Sequence, residues 1–176
     1  MQREGFFWAD RTIDVTIRLD KVVQDLKHLQ RFPTAETADY KEDIFRVAQE
    51  SFVQDRRFHV APDCDPRVSA VVLRRWVDEL GSSLVTVVNG RLVGFLNLRE
   101  NLSDGSCEVR LAAVDARYRM SCAAMGLYAR AIELARERGF KKLIGRISSL
   151  NASVMSLYAS FGAQFSNPHD VFLREI

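Results

Sequence analysis

The chain has 176 residues, 47% of them hydrophobic, enough to bury one well-formed core and short for two. Its formal charge of +2 gives no general attraction to nucleic acid, although a locally basic cleft can still draw an anionic ligand. Cys64, Cys107 and Cys122 are odd in number and lack metal-ligand spacing, which fits reduced thiols in a cytoplasmic protein better than a disulfide framework and indicates no zinc or haem site.

The opening MQREGFFWAD carries acidic residues and no long apolar stretch, so it does not read as a secretory leader. Nowhere are there 18 consecutive apolar residues, which argues against insertion in a membrane. Residues 13–19 alternate Ile13, Val15, Ile17 and Leu19 with Asp14, Thr16 and Arg18, the period of a half-buried strand. Residues 20–38 are irregular: Val22, Val23, Leu26 and Leu29 suggest a short helix that Phe32-Pro33-Thr34 breaks. Asp39 followed by Glu42 reads as a capping box opening a helix over 39–53, with Ile44, Val47, Ala48 and Phe52 on one face. Asp65-Pro66 opens a second helix, lined by Val72, Leu73, Trp76, Val77 and Leu80 and stopped at Gly81.

Two apolar runs joined by Asn89-Gly90 predict a type I′ hairpin over 84–98. CEVRLAAV is the next strand, with Glu108 and Arg110 on one face and Val109 and Leu111 on the other. It feeds Arg119-Met120-Ser121-Cys122-Ala123-Ala124, a loop that opens an amphipathic helix ending at Gly139. Lys142 to Ile147 reads as a strand, 151–161 as a helix and 171–176 as a closing strand, with no internal repeat and no low-complexity linker.

The loop carries the first chemical signal. The first amides of a helix lack intrahelical partners and sit at the positive end of its dipole, so Met120, Ser121, Cys122, Ala123 and Ala124 can offer N–H groups to phosphate oxygens. Arg119 can add a bidentate grip on an anion. The same segment also reads as an ordinary strand-to-helix turn. Asn151 is either a plain N-cap or a polar contact to a ligand. Tyr158 is either a core aromatic or a general acid, since a phenol of ordinary pKa about 10 is protonated at neutral pH.

This order of strand, Arg119 loop, helix, strand, Asn151, Leu157-Tyr158 and Gly162 resembles the core of the GCN5-related N-acetyltransferases, over roughly residues 39–176. The resemblance implies an α/β (α+β) fold: a mixed, mostly antiparallel sheet with helices on both faces, splayed where the strand beginning near Cys107 parts from the one beginning near Lys142. It implies acetyl-CoA as co-substrate, bound by Ala113, Val114, Arg119, Met120, Ser121, Cys122, Ala123, Ala124, Asn151 and Tyr158, and no metal. Tyr158 would protonate the departing thiolate, and a strand amide near Val114 would polarise the thioester carbonyl. The family pattern is Gln or Arg, two variable residues, Gly, one variable residue, then Gly or Ala. Arg119 and Ala124 match it, whereas Cys122 stands where glycine is expected and Met120 replaces another glycine. A Cβ at a position needing positive φ is strained.

By position Glu108 corresponds to the strand glutamate that some family members use as base; a cross-strand ion pair is its other reading. His59 is a second loop candidate, His28 and His169 have no context, and Cys122 without a nearby histidine is no acyl-carrying nucleophile. The stretch 57–79 followed by the Asn-Gly hairpin resembles bacterial acetyltransferases of nucleotide-linked amino-deoxysugars, with 1–38 a shortened form of their small N-terminal lobe. The expected partner is thus a small-molecule amine, a nucleotide amino-sugar of surface-polysaccharide biosynthesis first and a protein or peptide amine second; a homodimer is compatible with the sequence. A non-catalytic acyl-CoA-binding module with a degenerate phosphate loop is the alternative of another class.

Overall fold

The computed structural model describes residues 5–52, 66–119 and 121–174; Met120, His59 and Cys64 lie outside them. In chain order the elements are β1 (Phe6–Arg18), β2 (Thr34–Thr37), α1 (Lys41–Ser51), α2 (Pro66–Asp78), β3 (Ser83–Val88), β4 (Arg91–Asn101), β5 (Ser106–Val114), α3 (Ala123–Glu137), β6 (Lys142–Ser148), α4 (Ala152–Ser160) and β7 (Gln164–Arg174). The strands form one sheet in the order β2-β3-β4-β5-β6-β1-β7. Every neighbouring pair is antiparallel except β5 and β6, which run parallel through the α3 crossover. Asn89 (φ 50°) and Gly90 (φ 73°) both lie at positive φ, the type I′ turn that their chemistry demands.

Helices cover the sheet on both faces. Ile44, Val47 and Ala48 of α1 and Val77 of α2 pack on Val85, Leu92, Phe95 and Leu111. On the opposite face, Leu127, Ala131 and Ile132 of α3 and Tyr158 of α4 pack on Val15, Ile17, Leu96 and Leu143. The first cluster has no member from β1, β6 or β7, so α1 and α2 shield only one half of their face. The other half is an open polar surface bearing Asp14, Thr16, Arg18, Lys142 and Arg146.

Three features depart from the sequence expectations. The strand expected from Ile13 starts at Phe6 and lies between β6 and β7, because Thr12–Arg18 pair with β6 while both halves pair with β7. The strand expected from Val171 starts at Gln164; its polar stretch with Pro168 is tolerated at a sheet edge, where a register shift near Asn167 (φ 49°) absorbs the proline. Asp39 does not cap α1: Tyr40, in the left-handed region, is the N-cap residue and makes no side-chain cap, while Asp39 accepts from Thr37 Oγ1 at 2.9 Å. The segment after β1 is strapped along α3, where the Arg136 Nη2 donates to the carbonyls of Leu19 (2.5 Å) and Val22 (2.6 Å).

Candidate active site

β5 and β6 pair only at Ser106↔Lys142, Cys107↔Leu143 and Glu108↔Ile144, and then diverge. Opposite Asn97 and Leu98 on β4 stand Leu111 and Val109, leaving Arg110 as the extra residue of a bulge. A bulge bends its strand and re-aims the side chains beyond it. Accordingly Val109 packs on the α3 side and Leu111 on the α1 side, which breaks the alternation expected for these two residues. Past Glu108 the β5 edge therefore faces a wedge-shaped opening, whose other wall is β6 from Gly145 to Ser148. Such an edge suits an extended ligand that can take main-chain hydrogen bonds. Ala113 and Val114 lie at the wide end of the wedge, beside the loop that leads to α3.

Asn151 caps α4, its Oδ1 accepting from Val154 N at 3.1 Å. Asn151 is exposed, and its side-chain amide N–H groups make no hydrogen bond among the described residues. Tyr158 follows on the buried face of α4 and is 1% exposed. Its ring packs edge-to-face on Tyr128 of α3, centroids 5.1 Å apart at 80°, and Tyr128 Oη donates to Tyr158 Oη at 3.3 Å. A Cβ built on Gly145 would stand 2.8 Å from Tyr158 Oη. Gly145 is the residue after Ile144, the last in β6 to pair with β5, so the phenol lies at the apex of the wedge. Burial pushes the Tyr128 hydroxyl up to about 12 and holds Tyr158 well above the ordinary phenol range. Both phenols are protonated at neutral pH, the state that a proton donor requires.

The loop before α3 begins at Asp115, which caps the 3-10 turn Ala116–Tyr118. Ser121 returns both its backbone N–H (2.9 Å) and its hydroxyl (2.6 Å) to the Tyr118 carbonyl, and Arg119 is exposed. Cys122 is the N-cap residue of α3 at φ 62°, ψ 9°, with no side-chain cap. The amides of Ala123 and Ala124 thus open an uncapped helix of 15 residues, and the cysteine occupies a left-handed position that favours glycine. Relieving that conformation is expected to stabilise the fold by about 1 kcal/mol. Cys122→Gly should therefore melt a few degrees higher; a lower melting temperature would show the cysteine to be relaxed there.

Asp115, 1% exposed, was not singled out from the sequence. Its carboxylate accepts from Arg117 N (3.0 Å), Nε (3.0 Å) and Nη2 (2.6 Å) and from Arg46 Nη1 (3.4 Å), with Arg91 Nη2 at 3.7 Å. Its own N–H donates to the Val93 carbonyl at 2.8 Å. The Arg117 guanidinium holds this carboxyl far below the usual carboxylate range. One buried charge thereby ties α1, β4 and the start of the loop together.

Glu108 sits at the apex and is ion-paired with Arg99, its register partner on β4. On the same open face Arg146 Nε donates to Asp14 Oδ1 at 2.7 Å, and His169 Nε2 lies 3.5 Å from Asp14 Oδ2. His28 lies 3.9 Å from Asp25, among side chains more than half exposed. Cys107 is buried, and burial raises its thiol to about 11. A cleft of about 770 Å³ extends over the open face, lined by Arg18, Lys141, Lys142, Asp20, Ile144 and Thr16 among others. No group that could hold a metal ion occurs among the described residues, and none of their helices is long and apolar enough to cross a membrane.

The sequence matches the model of the acetyltransferase (GNAT) family over residues 41–163. No curated protein sequence matches significantly. Among solved structures, a conserved protein of unknown function from Staphylococcus epidermidis aligns with a TM-score of 0.68 at 14% identity, over 99% of this chain and 65% of that one. A GCN5-related N-acetyltransferase from Sphaerobacter thermophilus aligns at 0.65 and 16% identity, over 99% of this chain and 54% of that one. The ribosomal-protein-S18-alanine N-acetyltransferase from Escherichia coli aligns at 0.58 and 16% identity, over 74% of this chain and 76% of that one. The chain thus spans less than two thirds of the first and second of these proteins, and at such identities the likeness concerns the fold alone.

Proposed function

The chain belongs to the acetyltransferase (GNAT) family, and from that premise we propose that it moves an acetyl group from acetyl-CoA directly to a primary amine in the wedge between β5 and β6. The observation that carries this reading is the Tyr158 hydroxyl at the apex, protonated and set against Gly145. The pyrophosphate rests on the first amides of α3, at Cys122, Ala123 and Ala124, with Arg119 and Ser121 alongside. The pantetheine arm runs along the free β5 edge past Val114 and Ala113 towards the bulge at Arg110, and Asn151 contacts it from α4. The thioester carbonyl is polarised by strand amides near that bulge, deeper in the wedge than Val114.

The amine nitrogen attacks the thioester carbon, and the tetrahedral adduct collapses with cleavage of the C–S bond. Tyr158 transfers its phenolic proton to the departing thiolate and regains one from solvent before the next turnover. The amine nitrogen, cationic after attack, loses its proton to Glu108, directly or through a water, and Glu108 passes it to solvent before the next turnover. Coenzyme A leaves as the thiol, so atoms and charge balance without a metal or an acyl-enzyme. Holding both reactants in one wedge supplies the proximity.

For the acceptor, the cationic cleft beside the apex favours a nucleotide-linked amino-deoxysugar. Four cations, Arg18, Arg136, Lys141 and Lys142, line it against the single carboxylate of Asp20. Arg18 is ion-paired with that carboxylate and Arg136 holds the Leu19 and Val22 carbonyls, which leaves the two lysines as the grip for a diphosphate. Thiol release from acetyl-CoA, measured with nucleotide amino-sugars, free amino-sugars, polyamines and peptides, separates the readings. The proposal expects turnover with the nucleotide-linked sugar and at least tenfold loss when Lys141 and Lys142 are both replaced by alanine, about the cost of losing two exposed charge contacts to phosphate. Turnover with peptides alone would replace the sugar by a protein amine. Tight acetyl-CoA binding with no turnover on any amine would make the chain a binding module.

A further inference from the structure

The apex is built around a pair of tyrosines and one glycine, and neither Tyr128 nor Gly145 belongs to the pattern that pointed to Tyr158. Gly145 lies in β6 opposite Val15 of β1 and has no left-handed backbone to require it. A glycine inside a strand ordinarily weakens it, so its presence calls for a close approach. The close approach is Tyr158 Oη, which would stand 2.8 Å from a Cβ there, well inside any relaxed contact. Tyr128, 6% exposed, reaches the same hydroxyl from α3 and donates to it. A phenol that accepts its hydrogen bond from a neighbour keeps its own hydrogen unspent. Two of the directions open to Tyr158 Oη are thereby closed, one by the backbone of β6 and one by Tyr128.

We infer that Gly145 and Tyr128 are positioning residues that aim the Tyr158 hydroxyl at the leaving sulfur. Gly145 supplies the notch, and Tyr128 occupies the lone pair that would otherwise let the phenol turn back into the core. The inference rests on the general-acid reading of Tyr158 for its kinetic consequence, but its geometric content stands apart from that reading. Tyr128→Phe and Gly145→Ala should each lower kcat by about tenfold or more, because small misplacements of a catalytic group are costly, with the KM for acetyl-CoA unchanged. Added to Tyr158→Phe, neither should lower kcat further, since both act through the hydroxyl that is already gone.

The test is the kinetic cycle together with thermal unfolding of Gly145→Ala, Tyr158→Phe and the double variant. The notch requires Gly145→Ala to lower the melting temperature of the parent and to lower it much less once Tyr158 has lost its hydroxyl. Equal losses in both backgrounds would overturn the inference, as would a further fall of kcat when either positioning variant joins Tyr158→Phe. Should Tyr158→Phe by itself keep full kcat, the general-acid reading fails instead, and the melting-temperature coupling between positions 145 and 158 still decides the notch.

Discussion

Tyr158→Phe lowers kcat by about two orders of magnitude and leaves the KM for acetyl-CoA nearly unchanged, the pattern of a group that acts only as the C–S bond breaks. The variant keeps the ring, its edge-to-face contact with Tyr128 and its place in the core beside Leu143 and Phe161. Only the hydroxyl is lost, and with it the acceptor for Tyr128 Oη, which costs about 1 kcal/mol of stability at a buried site. Steady-state kinetics with a thermal melt separates the chemical effect from the structural one. Because burial holds the Tyr158 phenol well above its ordinary range, its deprotonation cannot cause any decline of rate near pH 9. A basic limb there that vanishes in Tyr158→Phe would contradict the assignment.

Asp115→Ala has the second-largest effect, on stability and on cofactor affinity together. The substitution removes a fully buried carboxylate, the cap of the Ala116–Tyr118 turn and the charge that keeps Arg46, Arg91 and Arg117 together. Breaking a buried charge cluster by deleting one partner costs about 3 kcal/mol. The three guanidiniums are 31%, 46% and 52% exposed and can be rehydrated, which holds the loss to the lower end of that range. The loop hangs from this turn, so the KM for acetyl-CoA rises as well, whereas Lys replacements of the exposed Arg75–Glu79 pair change neither quantity. The pH dependence has a definite sign. The folded carboxyl titrates below its unfolded value near 4, so its contribution is complete above about pH 4 and is lost as the pH falls through the folded value. Asp115→Asn should therefore melt less steeply with acid than the parent, and equal slopes would remove Asp115 from the account.

Local periodicity made much of the architecture legible. Asn89-Gly90 set the hairpin, Pro66 the start of α2, and the Val15/Ile17 alternation the buried half of β1. The position of β1 between β6 and β7 was not readable, because strand order depends on pairing between residues far apart in the chain and leaves no local trace. The start of β7 was hidden by Ser166, Asn167, Pro168 and Asp170, turn-formers that an edge strand accepts. At the candidate site, Asn151, Tyr158 and the Cys122 loop were legible through their resemblance to the family pattern, and the structure sets Asn151 and Tyr158 on one short helix. Gly145 carried a signal, an isolated glycine in a strand pattern, but what it makes room for is visible only in three dimensions. Asp115 looked like any loop acid, and its burial under three arginines comes from α1 and β4 folding over it.

The left-handed Cys122 bears on the alternative in which the loop has lost its ligand. Its conformation is the one a glycine would take at this N-cap, so the loop keeps its course at a cost in strain and leaves the amides of α3 uncapped.

Hydrogen exchange of the chain with and without acetyl-CoA tests the central claim most directly. The claim requires slowed exchange at the β5 amides from Val109 to Val114 together with the first turn of α3 at Cys122–Met125, and no comparable change in β2 or β3. Protection confined to the β2–β3 edge, or none at saturating acetyl-CoA, would contradict it.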